Sequence, residues 1–263
     1  MLGSVLGRMY RALVGRITGV DRIVEERVAR EIGNRIPALL KAELAAFLRS
    51  GTEPRASIDV EQAAYFLASV SSAQYFLEHM RMARNLQRPH ALLEFALEQC
   101  SVEGLVLEFG VYRGDSLRVI AACTEGPVYG FDSFQGLPED WTHHQKKGRF
   151  SLDGALPRFE QANVKLVPGW FEDTLPAFLA EHPGPTRFVH VDSDLYSSAV
   201  TVLERLSPRI GCGTVIVFDE YFNYPGWEHH EFRAFQEFIR ATGLRYQYLG
   251  FASSHQGVAV KIL

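Results

Sequence analysis

Acidic side chains recur at the ends of short apolar runs, and that placement is the first chemical signal in the chain. Glu108 closes LVLE, Asp132 closes VYGFD, Asp192 and Asp194 follow FVHV, and Asp219 with Glu220 follow VIVF. In open α/β sheets a ligand binds beyond the carboxyl ends of the strands, so these are the positions from which carboxylates act. They fall into two groups. Glu108 precedes a glycine turn, EFGVYRGDS, in which Gly110 and Gly114 permit positive φ and close approach of a ligand to the backbone. The helix that follows offers free N–H groups to a carboxylate or a phosphate. Asp132, at the end of the second strand, is placed to accept from ribose hydroxyls. Asp192, Asp219 and Glu220 end neighbouring strands and can converge. Three close carboxylates repel unless a cation joins them, and all-oxygen ligation suits Mg²⁺, Mn²⁺ or Ca²⁺ without choosing among them. Trp170 and Phe171, after Gly169 at another strand end, are suited to sandwich a flat heterocycle.

The turn lacks the G-x-G-x-x-G spacing of dinucleotide sites and carries an acid at the strand end. That acid repels a pyrophosphate and accepts from an ammonium, which favours a cofactor with an amino-acid end and a ribose over NAD. Histidines supply candidate proton acceptors near neutral pH. His143 and His144 lie in a polar loop and His229 and His230 follow the fifth strand, whereas His190 sits inside an apolar run and reads as a hydrogen-bonded core residue.

Positioning these groups requires strands and helices in alternation. Apolar runs at 105–107, 128–131, 164–167, 188–191 and 214–218 predict strands; helices are predicted from Ser116, over Thr174 to Ala180, over Ser197 to Leu206 and over Glu231 to Thr242. Two closing strands, Tyr246 to Gly250 and Val258 to Ile262, complete five βα steps and a terminal hairpin. A polar loop, Leu137 to Ser151, interrupts after the second strand, and loops of this length commonly serve as lids. Upstream, helices are expected over Ile58 to Leu77 and Ala91 to Cys100, with Pro89 at a helix start and Arg81, Arg84 and Arg88 between them. GTEPR at 51–55 reads as a linker. The resulting division is an amphipathic N-terminal helical segment at 1–50, a helical cap at 51–100 and a cofactor-binding domain at 101–263.

Residues 1–20 carry Arg8, Arg11 and Arg16 and no acid on an amphipathic pattern. That chemistry suits peripheral contact with an anionic membrane surface, or a helix packed on the domain or on a second subunit in a homo-oligomer, and packing is the commoner use. The run is too broken for a secretory signal. With 263 residues, 47% hydrophobic and 22% charged, the chain can bury a sizeable core, and a net charge of -4 gives no whole-protein reason to bind nucleic acid. Cys100, Cys123 and Cys212 lack metal-like spacing and sit among apolar neighbours, so buried thiols and a cytoplasmic, reducing location are expected. No 18-residue apolar stretch predicts a membrane span.

The segments EFGVYRGDS, GFDSFQGLP, FVHVDSDLYSS, VIVFDEY and PGWE, in this order and register, resemble the class I S-adenosylmethionine-dependent methyltransferases. More closely, over Arg81 to Leu263, they resemble the macrocin O-methyltransferase group, which methylates sugar hydroxyls in natural products. The resemblance implies a Rossmann-like, seven-stranded, mostly parallel sheet with an antiparallel last strand. It implies that Glu108, Gly110, Val111, Tyr112, Arg113, Gly114 and Ser116 hold the methionine end of the cofactor, Asp132 and Ser133 the ribose, and Gly169, Trp170 and Phe171 the adenine, with Asp192 alongside. It further implies Mg²⁺ on Asp192, Asp219 and Glu220 and proton removal by Asp194, with His229 or His230 as second choice. Where that family shows Asp, or Asn in the catechol enzymes, this chain has the longer Glu220. The implied reaction is Mg²⁺-assisted methylation of a sugar or polyol hydroxyl in a vicinal diol. A catechol-type enzyme walled by Trp141, Phe150, Tyr221, Phe222, Tyr224 and Trp227 is an alternative, as is an inactive scaffold.

Overall fold

A computed structural model describes residues 59–142 and 144–263. The N-terminal segment 1–50, its membrane or subunit contact, the 51–55 linker and His143 therefore lie outside the described residues. Residues 64–263 make one compact unit. It is built from helix α1 (Val60–His79, whose first turn precedes the unit), strand β1 (Arg84–Asn85), α2 (Pro89–Glu98), β2 (Leu105–Phe109), α3 (Asp115–Ala122), β3 (Val128–Asp132) and β4 (Val164–Pro168). The chain continues through α4 (Phe171–Glu181), β5 (Thr186–Val191), α5 (Tyr196–Leu206), β6 (Val215–Phe218), α6 (Glu231–Thr242), β7 (Tyr246–Phe251) and β8 (Val258–Ile262).

Strand side chains alternate between faces, and the two faces are buried by different helices. Val106, Val128, Phe188, Val215 and Val217 join Leu92, Leu93, Leu117 and Ile120 of α2 and α3 in one core. Leu107, Phe109, Phe131, Val189, Val191, Ile216 and Phe218 join Leu175, Val202, Leu203, Phe235 and Phe238 of α4, α5 and α6 in the other. Their order across the sheet is β1-β7-β8-β6-β5-β2-β3-β4. Pairing is parallel throughout except for β8, which runs antiparallel to β6 and β7.

The expected strands are all present, and an eighth joins them: Arg84–Asn85, part of the basic stretch, pairs with Gly250 and Phe251 at the sheet edge. The connection from β3 to β4 differs from a βα step. The described residues of 133–163 hold no helix, and Phe134, Gly136, Gly148, Phe150, Asp153 and Gly154 all take positive φ, which interrupts a helical path. Two thiols also depart from expectation. Cys123 and Cys212 are exposed and only Cys100 is partly covered, because Cys123 caps the C-terminus of α3 and Cys212 lies in the turn before β6, where the backbone leaves the core.

One feature of the register positions the chemistry. Phe109 pairs with Phe131 and with Val191, and Val191 pairs with Phe218. The residues that follow, Asp132, Gly110, Asp192 and Asp219, consequently stand in one row across β3, β2, β5 and β6. The ladder holds them there: the N–H groups of Gly110, Asp192 and Asp219 donate to Phe131, Phe109 and Val191 carbonyls, each at 2.9 Å.

Candidate active site

The turn after β2 exists because glycine stands at its first position. Gly110 has φ 95°, and a Cβ there would lie 1.7 Å from the Asp192 carbonyl oxygen. The β2 turn and the β5 loop thus touch backbone to backbone. Tyr112 at φ 48° and Gly114 at φ 81° complete the reversal into α3. Asp132 ties it down from the next strand: Oδ2 accepts from the N–H of Val111 at 2.9 Å and of Tyr112 at 2.7 Å, and Oδ1 from Phe134 at 2.7 Å. A carboxylate has about four lone-pair sites, so one-sided capacity remains for a ligand hydroxyl.

A cavity of about 300 Å³ lies above this row. Gly110, Val111, Tyr112, Asp132 and Ser133 form one wall, Trp170 and Phe171 one end, and Asp192, Asp194, Asp219 and Glu220 the other. Phe150 of the 133–163 loop meets Tyr112 edge-on at 5.5 Å, and both rings line the cavity. That loop is held to α5, where the Ser197 hydroxyl donates to Glu139 at 2.6 Å. A second hollow of about 240 Å³ shares Val111, Tyr112, Asp192 and Asp219 and runs past Arg113, Gly114 and Ser116 at the start of α3.

Two of the sequence-derived cofactor residues stand behind these walls. Glu108 is 0% exposed and lines neither hollow. β2 continues past it to Phe109, so Glu108 sits inside the ladder opposite His190, whose Nδ1 is 2.9 Å from its Oε1. Burial raises the Glu108 pKa and the His190 contact opposes that rise. His190 is the bonded core histidine that its position in the run suggested. Gly169 also lies off the cavity wall; its N–H donates to the Asp132 carbonyl at 2.9 Å.

Asp192, Asp219 and Glu220 converge: one carboxylate oxygen from each lies within 4.8 Å of the others. Burial, and then the Asp219 charge, hold the carboxyls of Asp192 and Glu220 well above the usual range. Glu220 Oε2 is buried with no hydrogen-bond partner among the described residues. Like charges at this spacing and an orphaned buried oxygen suit a cation, and an all-carboxylate set fits a hard divalent one. Asp194 lines the same end of the cavity in the left-handed region, at φ 61°, which Asp tolerates better than most residues. Burial first, then Asp219 and Asp132, raise its pKa to about 7.

The other histidines stand apart. His229 and His144 are exposed, and His230 packs its ring on Tyr224 and Trp141; none of them lines the cavity. The aromatic wall expected of a catechol site is likewise mostly elsewhere. Tyr221, Phe222, Tyr224 and Trp227 are core residues, Trp141 packs on Tyr224 and His230, and Phe150 alone of the six reaches the cavity. Glu231, which the sequence marks only as the start of a helix, also belongs to this region. It is 0% exposed, Oε1 accepting from the Ser193 N–H at 3.3 Å and Oε2 from the Glu220 N–H at 3.1 Å. An acid in the first turn of a helix was the single local signal, and it suits the helix dipole equally well.

The fold is that of the class I methyltransferases. A solved structure of CalS11, calicheamicin methyltransferase, matches with a TM-score of 0.55 at 22% identity, covering 81% of this chain and 96% of that one. The structure of the O-methyltransferase NovP matches with a TM-score of 0.50 at 23% identity, covering 65% and 76%. Within that class the chain belongs to the macrocin O-methyltransferase (TylF) family, whose model matches residues 76–246. Among curated proteins it is 30% identical over 155 residues to the 8-demethyl-8-(2,3-dimethoxy-alpha-L-rhamnosyl)-tetracenomycin-C 4'-O-methyltransferase of Streptomyces olivaceus, covering 49% of this chain and 58% of that protein. It is 29% identical over 167 residues to the mycinamicin III 3''-O-methyltransferase of Micromonospora griseorubida, covering 54% and 63%. The chain therefore spans about three fifths of the length of these relatives.

Proposed function

We propose that the chain is an S-adenosylmethionine-dependent O-methyltransferase that methylates one hydroxyl of a vicinal diol on a sugar or polyol, with a divalent cation, Mg²⁺ by preference, at Asp192, Asp219 and Glu220. The observation that carries the reading is the single row of Asp132, Gly110, Asp192 and Asp219, with the Asp132 carboxylate and the convergent carboxylate triad lining one cavity. Membership of the macrocin O-methyltransferase family and relatives named for methylating glycosylated natural products support it.

Bound there, S-adenosylmethionine supplies an electrophilic sulfonium methyl, and a divalent cation supplies a Lewis acid that lowers the pKa of a coordinated hydroxyl. The chain's own residues do the rest. Asp132 accepts from a ribose hydroxyl while its backbone bonds keep the glycine turn closed. Trp170 and Phe171 flank the base, and the turn from Gly110 to Ser116 faces the amino-acid end. Asp194, which lines the same end of the cavity as the carboxylate triad, takes the hydroxyl proton at a carboxylate oxygen. Electrostatic preorganisation and in-line positioning carry the acceleration.

Displacement of four aromatic residues into the core favours a sugar acceptor over a catechol. The test is calorimetric titration with S-adenosylhomocysteine, with and without Mg²⁺, followed by vicinal diols, sugars and catechols. Cofactor-product binding with a metal-enhanced response to a sugar diol is expected. No binding of S-adenosylhomocysteine, or tight binding of NAD in its place, would overturn the proposal, and a response to catechols alone would transfer the acceptor to the aromatic class.

A further inference from the structure

Glu231 lines neither hollow and is not among the three converging carboxylates, yet it is buried beside them. Its two oxygens serve two different loops. Ser193, bonded to Oε1 at 3.3 Å, separates Asp192 from Asp194 after β5; Glu220, bonded to Oε2 at 3.1 Å, follows Asp219 after β6. Only a carboxylate accepts at both ends, since an amide presents a donor at one of them. The residue is also seated on a rigid support, because Ala234, Phe235 and Phe238 fix the next two turns of α6 in the core. A buried carboxylate next to three others costs stability, and a site that needed only filling would be better served by an apolar side chain.

We infer that Glu231 is a positioning residue: by bridging the Ser193 and Glu220 backbones it sets the spacing of the two loops at which Asp192, Asp219 and Glu220 share one divalent cation. The inference rests on the metal-binding part of the function proposed above. It assigns Glu231 no contact with substrate or cofactor.

The experiment is calorimetric titration of the full chain with MgCl₂ and, separately, with S-adenosylhomocysteine, for the wild type, Glu231→Gln and Glu231→Asp. Glutamine keeps the volume and one acceptor but sets an N–H against a backbone N–H. Aspartate keeps the charge and both oxygens but is one methylene short of spanning the loops. Mg²⁺ affinity is expected to fall on the order of 10- to 100-fold in both, as for other outer-shell supports of metal ligands, while S-adenosylhomocysteine affinity, set by Asp132 and the glycine turn, is retained. Unchanged Mg²⁺ affinity in either folded variant overturns the inference. So does parallel loss of both affinities, or failure of both variants to fold, since each makes Glu231 a requirement of the fold in general. Absence of Mg²⁺ binding by the wild type overturns the metal reading itself, which separates the two failures.

Discussion

Replacing Asp219 by Asn keeps the side chain's shape and removes one charge from the triad, so the sign of its effect reports whether those carboxylates are held against their own repulsion. Their oxygens lie within 4.8 Å of one another. At about that separation and an effective dielectric of about 20, one like-charge pair costs about 3.5 kcal/mol, and Asp219 takes part in two such pairs. The realised cost is smaller. Asp192 and Asp219 are half-buried, so solvent screens part of the repulsion, and the raised pKa of the buried Glu220 carboxyl lowers it further. A net repulsion of roughly 2 kcal/mol remains after that discount, which for a domain of this size corresponds to roughly 4–8 °C in Tm. Asp219→Asn is therefore expected to melt higher than the wild type in EDTA. In Mg²⁺ at about 100 times its Kd the wild type gains about 2.7 kcal/mol, whereas the variant, short of a ligand, gains almost nothing. Thermal denaturation followed by circular dichroism in EDTA and in MgCl₂ reads both numbers. A variant that melts lower in EDTA would show that the carboxylates are not held against their own repulsion, and one that shifts with Mg²⁺ as the wild type does would show that Asp219 is no metal ligand.

Gly110→Ala forces a Cβ to within 1.7 Å of the Asp192 carbonyl at φ 95°; a loss of roughly 2–5 kcal/mol of stability and of S-adenosylhomocysteine binding is expected in denaturant melts and calorimetry. Asp132→Asn turns an amide N–H toward either the Val111–Tyr112 pair or Phe134. Leaving a buried donor unpaired costs about 1–3 kcal/mol, so weaker cofactor-product binding by about tenfold or more is expected, and wild-type affinity would remove Asp132 from the ribose site. Asp194→Asn should abolish methyl transfer in a single-turnover assay while S-adenosylhomocysteine still binds. The paired variant His229→Gln with His230→Gln should retain turnover, because neither ring lines the cavity; the reverse outcome would return the proton to a histidine.

The boundaries of most elements were legible in the sequence because they follow from local periodicity. The helix Glu231–Thr242 and the closing strands fall where apolar spacing and turn residues put them. The acids at the strand ends and the glycine turn were equally plain, since a strand-to-helix reversal needs positive φ at fixed places. Local pattern did not extend to partners. Glu108 looked like the end of its strand, and its burial against His190 followed only from a pairing 82 residues away. Tyr221, Phe222, Tyr224 and Trp227 have the same composition whether they wall a cleft or fill a core, and the docking of α1 decided it: Ser72 Oγ accepts from the Asn223 N–H at 2.8 Å and Ser71 Oγ from the Trp227 indole at 3.0 Å. Glu231 acquires its two acceptor bonds only when β5, β6 and α6 meet. Periodicity reports which face of an element is apolar; the register between strands, which set Asp132, Gly110, Asp192 and Asp219 side by side, is a long-range property that only the packed sheet determines.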